Sequence, residues 1–216
     1  PTDDVEALLL LLPPVELAAL LLQLAALFPA LQQRRELFRG GRGQELDRRE
    51  LAIERSAATP SHRLDLVLAY FEGDWRPEAI RAALRRSAQV LAQCGVEIAK
   101  AELVRIEAPA RFRVFDTPRS RELAGTLALS KPTIYFVAGT RQQPAFDAEA
   151  IGRANSGTRP ELRDTVWVAR GARDLDIVLT HELAHVLMDS GEHTREPGNL
   201  MREDTTPQNT RLSQAQ

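Results

Sequence analysis

His181-Glu182-Leu183-Ala184-His185 constrains the fold of this chain more than any other five residues. Two histidines four apart share one face of an α-helix, separated by about 6 Å of rise. The segment must therefore be helical for both imidazoles to reach one cation. Glu182, between them, is placed to hold and deprotonate a water on that cation without ligating it. The spacing predicts a helix over Leu175 to Met188, with Asp174 as its N-cap. Three of the four histidines, His181, His185 and His193, fall within thirteen residues. Ser190-Gly191 reads as a helix stop and a sharp turn, able to carry the chain back so that His193 meets the same ion. Three neutral imidazoles with one open position suit a catalytic zinc rather than a closed structural one. His62, far upstream after Pro60-Ser61, reads as a surface residue.

The segment from His181 to Met201 resembles the active site of the metzincin metallopeptidases, most nearly the matrixin-type members. Those carry H-E-x-x-H-x-x-G-x-x-H and then a short loop ending in a methionine beneath the metal. The stretch from His193 to Met201 is similar to that loop, with the same eight-residue step and a Pro197-Gly198 in place. The resemblance implies an α+β catalytic domain over residues 58–216. Its parts would be a twisted, mostly parallel sheet with an edge strand, two main helices, a zinc helix and a Met-turn. It implies a zinc endopeptidase with one Zn2+ held by His181, His185 and His193, Glu182 as general base and Met201 as a soft apolar floor. A peptide or protein substrate would lie along an edge strand at Ala148 to Asn155, with Ala150, Gly152 and Ala154 as substrate-binding positions. The chain departs from the pattern at the third histidine. The family places glycine seven and histidine ten residues after the first; here those positions are Met188 and Gly191, and the histidine comes at twelve. Two extra residues in the turn, with Gly191 taking the bend, account for the offset. The position two after the methionine is Glu203, so the tyrosine that some relatives use there is lacking.

The rest of the sequence supplies a scaffold. Leu64–Phe71, Val96–Ile106, Thr133–Val137 and Thr165–Ala169 read as strands. Glu78–Cys94 is an amphipathic helix with Pro77 at its entry and Gly95 past its end; Ile80, Ala83, Leu84, Leu91 and Cys94 form its inner face. Cys94 resembles the cysteine of a matrixin pro-segment only superficially, lacking the flanking Pro-Arg and Pro-Asp, and reads as a small hydrophobe. Residues 1–57 read as a separate helical segment that covers the catalytic domain or binds a partner. It comprises a helix around Leu17, Leu20, Leu21, Leu24, Leu27 and Phe28, a linker at Arg39–Gly43, and a charged helix from Gln44 to about Ala57.

Composition narrows the function classes. The net charge is -2, with no basic excess, which argues against nucleic acid as a partner. Pro13-Pro14, Glu16 and Gln23 interrupt the longest apolar stretch, which argues against a membrane span. The basic residues are 26 Arg against 2 Lys, a bias expected of a GC-rich bacterial genome. The chain opens at Pro1 rather than Met, as after removal of an export signal, so a secreted bacterial protein is expected. Calcium stays open, since no EF-hand spacing occurs. Two other readings stand beside the metzincin-like one. A gluzincin-type peptidase needs a glutamate ligand from a second helix; Glu196 and Glu203 lie at suitable distances, but Pro197-Gly198 and Thr205-Thr206-Pro207 oppose a helix there. A non-catalytic metal-binding or protein-interaction module on the same fold needs no Glu182.

Overall fold

The four apolar runs become four parallel neighbours in one sheet. In this computed structural model the described residues are 43–53, 59–152 and 157–213. The strands are β1 (Gln44–Glu50), β2 (His62–Phe71), β3 (Val96–Glu107), β4 (Val114–Phe115), β5 (Thr133–Val137), β6 (Gly139–Thr140), β7 (Ala148–Ile151) and β8 (Thr165–Ala169). The helices are α1 (Pro77–Leu91), α2 (Thr117–Leu127) and α3 (Leu175–Met188). The main sheet has the order β1-β3-β2-β5-β8-β7, while β4 and β6 form a small separate pair. β3, β2, β5 and β8 run parallel, and the two outer strands β1 and β7 are antiparallel to their neighbours. The architecture is thus mixed α and β on a mostly parallel sheet.

Both faces of that sheet are covered, which is why its central strands read as nearly unbroken apolar runs. Leu66, Leu68, Ile134, Phe136, Val166 and Val168 face α1 and α3 in one core cluster. Val67, Ala69, Val104, Tyr135 and Trp167 face the other way, onto Leu123 and Ala124 of α2. Tyr135 and Trp167 stack across β5 and β8 with ring centroids 4.2 Å apart. Alternate residues of one strand therefore serve two cores.

Residues 44–50 depart from expectation. They form β1, paired antiparallel to β3, instead of the charged helix predicted over Gln44–Ala57. The free edge of β3 offers a row of backbone groups that β1 satisfies, and such pairing overrides intrinsic helix preference. The charges suit an exposed edge: Arg48 bonds to Glu45 and to Glu102 of the neighbouring strand. Gly43, read as linker, is buried at φ +82°, where a Cβ would come within 2.8 Å of Leu123 Cδ1. The chain divides after Gly41, so β1 belongs with the sheet rather than with a segment ending at residue 57. The expected helix at Leu17–Phe28 and the start of the linker lie outside the described residues.

α1 and α3 form over the residues expected, with Ala92–Cys94 continuing α1 as a 3-10 turn and Cys94 half-buried. Asp174 holds the N-cap position of α3 differently from expectation. It is left-handed at φ 52° and its side chain makes no capping bond; its carbonyl accepts from Ile177 and Val178. No helix among the described residues is long and apolar enough to cross a membrane.

Candidate metal centre

α3 packs its apolar faces onto the sheet and α1, burying Leu179, Leu183 and Val186. That leaves His181 and His185 one turn apart on a single face, 3% and 8% accessible. Their Nε2 atoms lie 3.0 Å apart. His193 completes a triangle, its Nε2 3.2 Å from each. Among the described residues this is the one group of three or more His, Cys, Asp or Glu side chains whose ligand atoms all fall within 4.8 Å of one another. His62 is exposed at the start of β2 and stands outside it. Glu192, Glu203 and Asp189 supply no oxygen to it either.

The turn that delivers His193 is built differently from expectation. Asp189, not Gly191, takes the left-handed conformation that ends the helix, at φ 49°. Asp tolerates that region better than most residues because its side chain hydrogen-bonds locally. Gly191 has open space around it and no positive φ.

Backbone carbonyls orient two of the imidazoles. His181 Nδ1 donates to Leu200 O at 2.7 Å, and His185 Nδ1 donates to Ser190 O at 2.7 Å. A carbonyl only accepts, so both protons sit on Nδ1 and both Nε2 atoms present lone pairs. Lone pairs 3.0 Å apart repel unless a cation lies among them. Around tetrahedral zinc, with bonds of about 2.0–2.1 Å, nitrogen ligands stand roughly 3.3 Å apart. The donor set and its spacing fit such an ion.

Burial disfavours the protonated forms of His181 and His185. Burial pulls His181 down to about 4, and the neighbouring His185 and His193 add to the effect. Burial also lowers His185. Glu182 moves the other way: burial pushes its carboxyl up to about 7, opposed by the backbone N–H of Ala150 and reinforced by Glu149. Glu182 thus sits between the helix and the edge strand β7, whose residues Ala148 and Ala150 pack toward α3. Gly152 follows β7, and a Cβ there would lie 3.3 Å from Asp189 Oδ1, so the end of the edge strand abuts the end of α3. Ala154 lies outside the described residues.

Met201 is fully buried, clustered with Val90, Ile177, Ala184 and Leu200. The loop from His193 to Met201 is closed at its ends by Thr194 N–H donating to Met201 O at 2.8 Å. Inside it, Met201 N–H donates to Asn199 Oδ1, and Asn199 Nδ2 donates to Glu196 Oε2. No helix follows α3 among the described residues.

Three contributors had no sequence signal. The carbonyls of Leu200 and Ser190 come from residues whose side chains are irrelevant to the bond. Glu149 acts on Glu182 only because β7 lies beside α3. No protein-family model matches the chain, and no curated protein matches it significantly.

Proposed function

We propose that this protein is a zinc-dependent endopeptidase of metzincin type. The observation that carries the reading is the triangle of His181, His185 and His193 Nε2 atoms, 3.0–3.2 Å on a side, with Glu182 on the same helix but outside the ligand set. A bound zinc ion supplies a Lewis acid that acidifies water and polarises a carbonyl.

The chain's own residues then divide the work. His181, His185 and His193 hold the ion through neutral nitrogens, so its positive charge is not cancelled. Glu182 takes the proton of the attacking water and passes it to the leaving amine. Its raised proton affinity suits that exchange, since a base near the working pH both takes and returns a proton. β7, at the sheet's end, leaves one side unpaired by any described strand, and an extended peptide can add to such an edge. Ala150 and Gly152 then offer backbone and little side chain to it, and the buried Met201 would supply an apolar floor near the ion.

The gluzincin reading gains nothing from residues 189–213, which contain no helix to bring Glu196 or Glu203 to the ion. A non-catalytic metal module is separated from the enzyme by experiment. Wild-type protein should cleave casein or a quenched peptide, and a chelator should abolish the cleavage. Glu182→Ala should keep its metal and lose about 10²–10⁴-fold in turnover. Wild-type turnover in that variant would reject the mechanism.

A further inference from the structure

His185 and His181 are steadied in unlike ways. The carbonyl that orients His185 belongs to Ser190, whose own N–H returns to His185 O at 3.2 Å, so that support is closed within the helix end. The carbonyl that orients His181 belongs to Leu200, in the loop after His193; its side chain is buried among Val90, Ile177 and Ala184, but its backbone N–H bonds to no helix. Leu200 is fixed from its other side by the segment Asn209–Leu212. Its N–H donates to Arg211 O at 2.7 Å, and Arg211 N–H donates to Gly198 O at 3.0 Å. The Arg211 guanidinium also donates to Pro197 O. It occupies the space beside Gly198: a Cβ there would lie 2.9 Å from Nη2 and 3.1 Å from Nε.

The segment is tied down at its other residues as well. Gln93 Nε2, just past α1, donates to Thr210 O at 2.8 Å. Asn209 is buried and donates from Nδ2 to Asp204 O at 2.7 Å. Leu212 packs against the cluster that holds Met201 and Leu200. A strap of four residues, with Arg211 exposed, would fray in water without such anchors.

Resting on the zinc reading above, we infer that Asn209–Leu212 is part of the metal centre, with Arg211 as a positioning residue. It holds the Leu200 carbonyl against His181 and so fixes the tautomer and ring angle of one metal ligand. Groups that orient a ligand change metal affinity about 10–100-fold when lost. Arg211 acts through one more link, which places its effect at the low end.

The test measures Zn2+ affinity of the full chain by competition with a chromophoric chelator. It adds the visible absorption of the Co2+-loaded protein and the Tm of the metal-free protein. Arg211→Ala should bind Zn2+ about tenfold more weakly and alter the Co2+ bands, with its metal-free Tm near wild type. Arg211→Lys, which can still reach one carbonyl, should recover part of the affinity. Gln93→Ala, on an exposed side chain, should weaken binding at least about twofold by the same route, and decides the matter if Arg211→Ala does not fold. Wild-type affinity in Arg211→Ala or Gln93→Ala overturns the inference. So does a loss of affinity that Lys does not relieve and that follows a fall in metal-free Tm with unchanged Co2+ bands. A wild-type chain that takes up no Zn2+ overturns the zinc reading itself, and the strap's role with it.

Discussion

Glu182 is the residue at which burial and chemistry conflict most. Its carboxyl is held near 7 instead of the usual 4.5, so the folded chain without metal keeps a proton that the unfolded chain has released. Between those values the folded state binds more protons, and stability falls as pH rises through the window. The full shift corresponds to about 3 kcal/mol, lessened by the water that reaches a half-buried carboxyl. Metal-free Glu182→Gln should therefore melt higher than wild type at pH 8. The gain should shrink as pH falls and vanish near 4.5, where both carboxyls are protonated. Thermal melts of the two proteins across that range check the sign; a gain that grows toward acid would contradict it. His181 has the opposite sense, since its neutral form is the one favoured in the fold. The wild-type protein without metal should accordingly show a flatter pH profile than the variant.

A buried hydroxyl pair links α3 to α1 one residue before His181. Thr180 and Ser87 are both fully buried, with their oxygens 2.9 Å apart, while Thr180 also donates to Asp176 O and Ser87 to Ala83 O. Three contacts share two hydroxyl protons, so one of the three is always without its own. Thr180→Val keeps the shape and removes the polar link, at about 1–2 kcal/mol, or a drop in Tm of roughly 2–4 °C per kcal/mol. Zn2+ affinity should hardly change, because His181 is aimed by Leu200 rather than by its helical neighbour; a large loss of affinity would give the aim to the helix packing. Such links are invisible in a sequence, whereas the elements they join are not. β2, β3, β5 and β8 were legible as apolar runs, α1 by its amphipathic period and α3 by the spacing of its histidines. β1 was not, since an edge strand exposed on most of its length carries Gln, Glu, Asp and Arg like a surface helix. α2 gave little signal because its buried face is only Ser120, Leu123 and Ala124. At the site, the three histidines and Glu182 were legible as side chains, and the carbonyls behind them were not.

Across the described residues the structure divides into a self-contained sheet and a peripheral region that carries His193. The sheet is buried on both faces by α1, α3 and α2, and each of its core clusters is apolar. The region from Ser190 to Leu212 has no regular element, and its largest buried contribution is the small cluster around Leu200 and Met201. A metal joining His181 and His185 on α3 to His193 in that region would close a loop otherwise fastened by a few hydrogen bonds and the small cluster around Leu200 and Met201. Removing it should therefore act unevenly. Saturating Zn2+ at a thousand times its Kd adds about 4 kcal/mol to the folded state, and a chelator should take the same amount away. His193→Ala should lose most of that metal-dependent gain, because its ligand alone lies outside the helix. Asp189→Ala should keep it, since no Asp189 oxygen belongs to the ligand cluster. Hydrogen exchange then locates the effect. Amides of 194, 200, 201 and 211 should lose protection on chelation, while those of β2, β3, β5 and β8 keep theirs. Uniform loss across the sheet would mean that the metal holds the whole fold, and that the two cores are less self-sufficient than their burial implies.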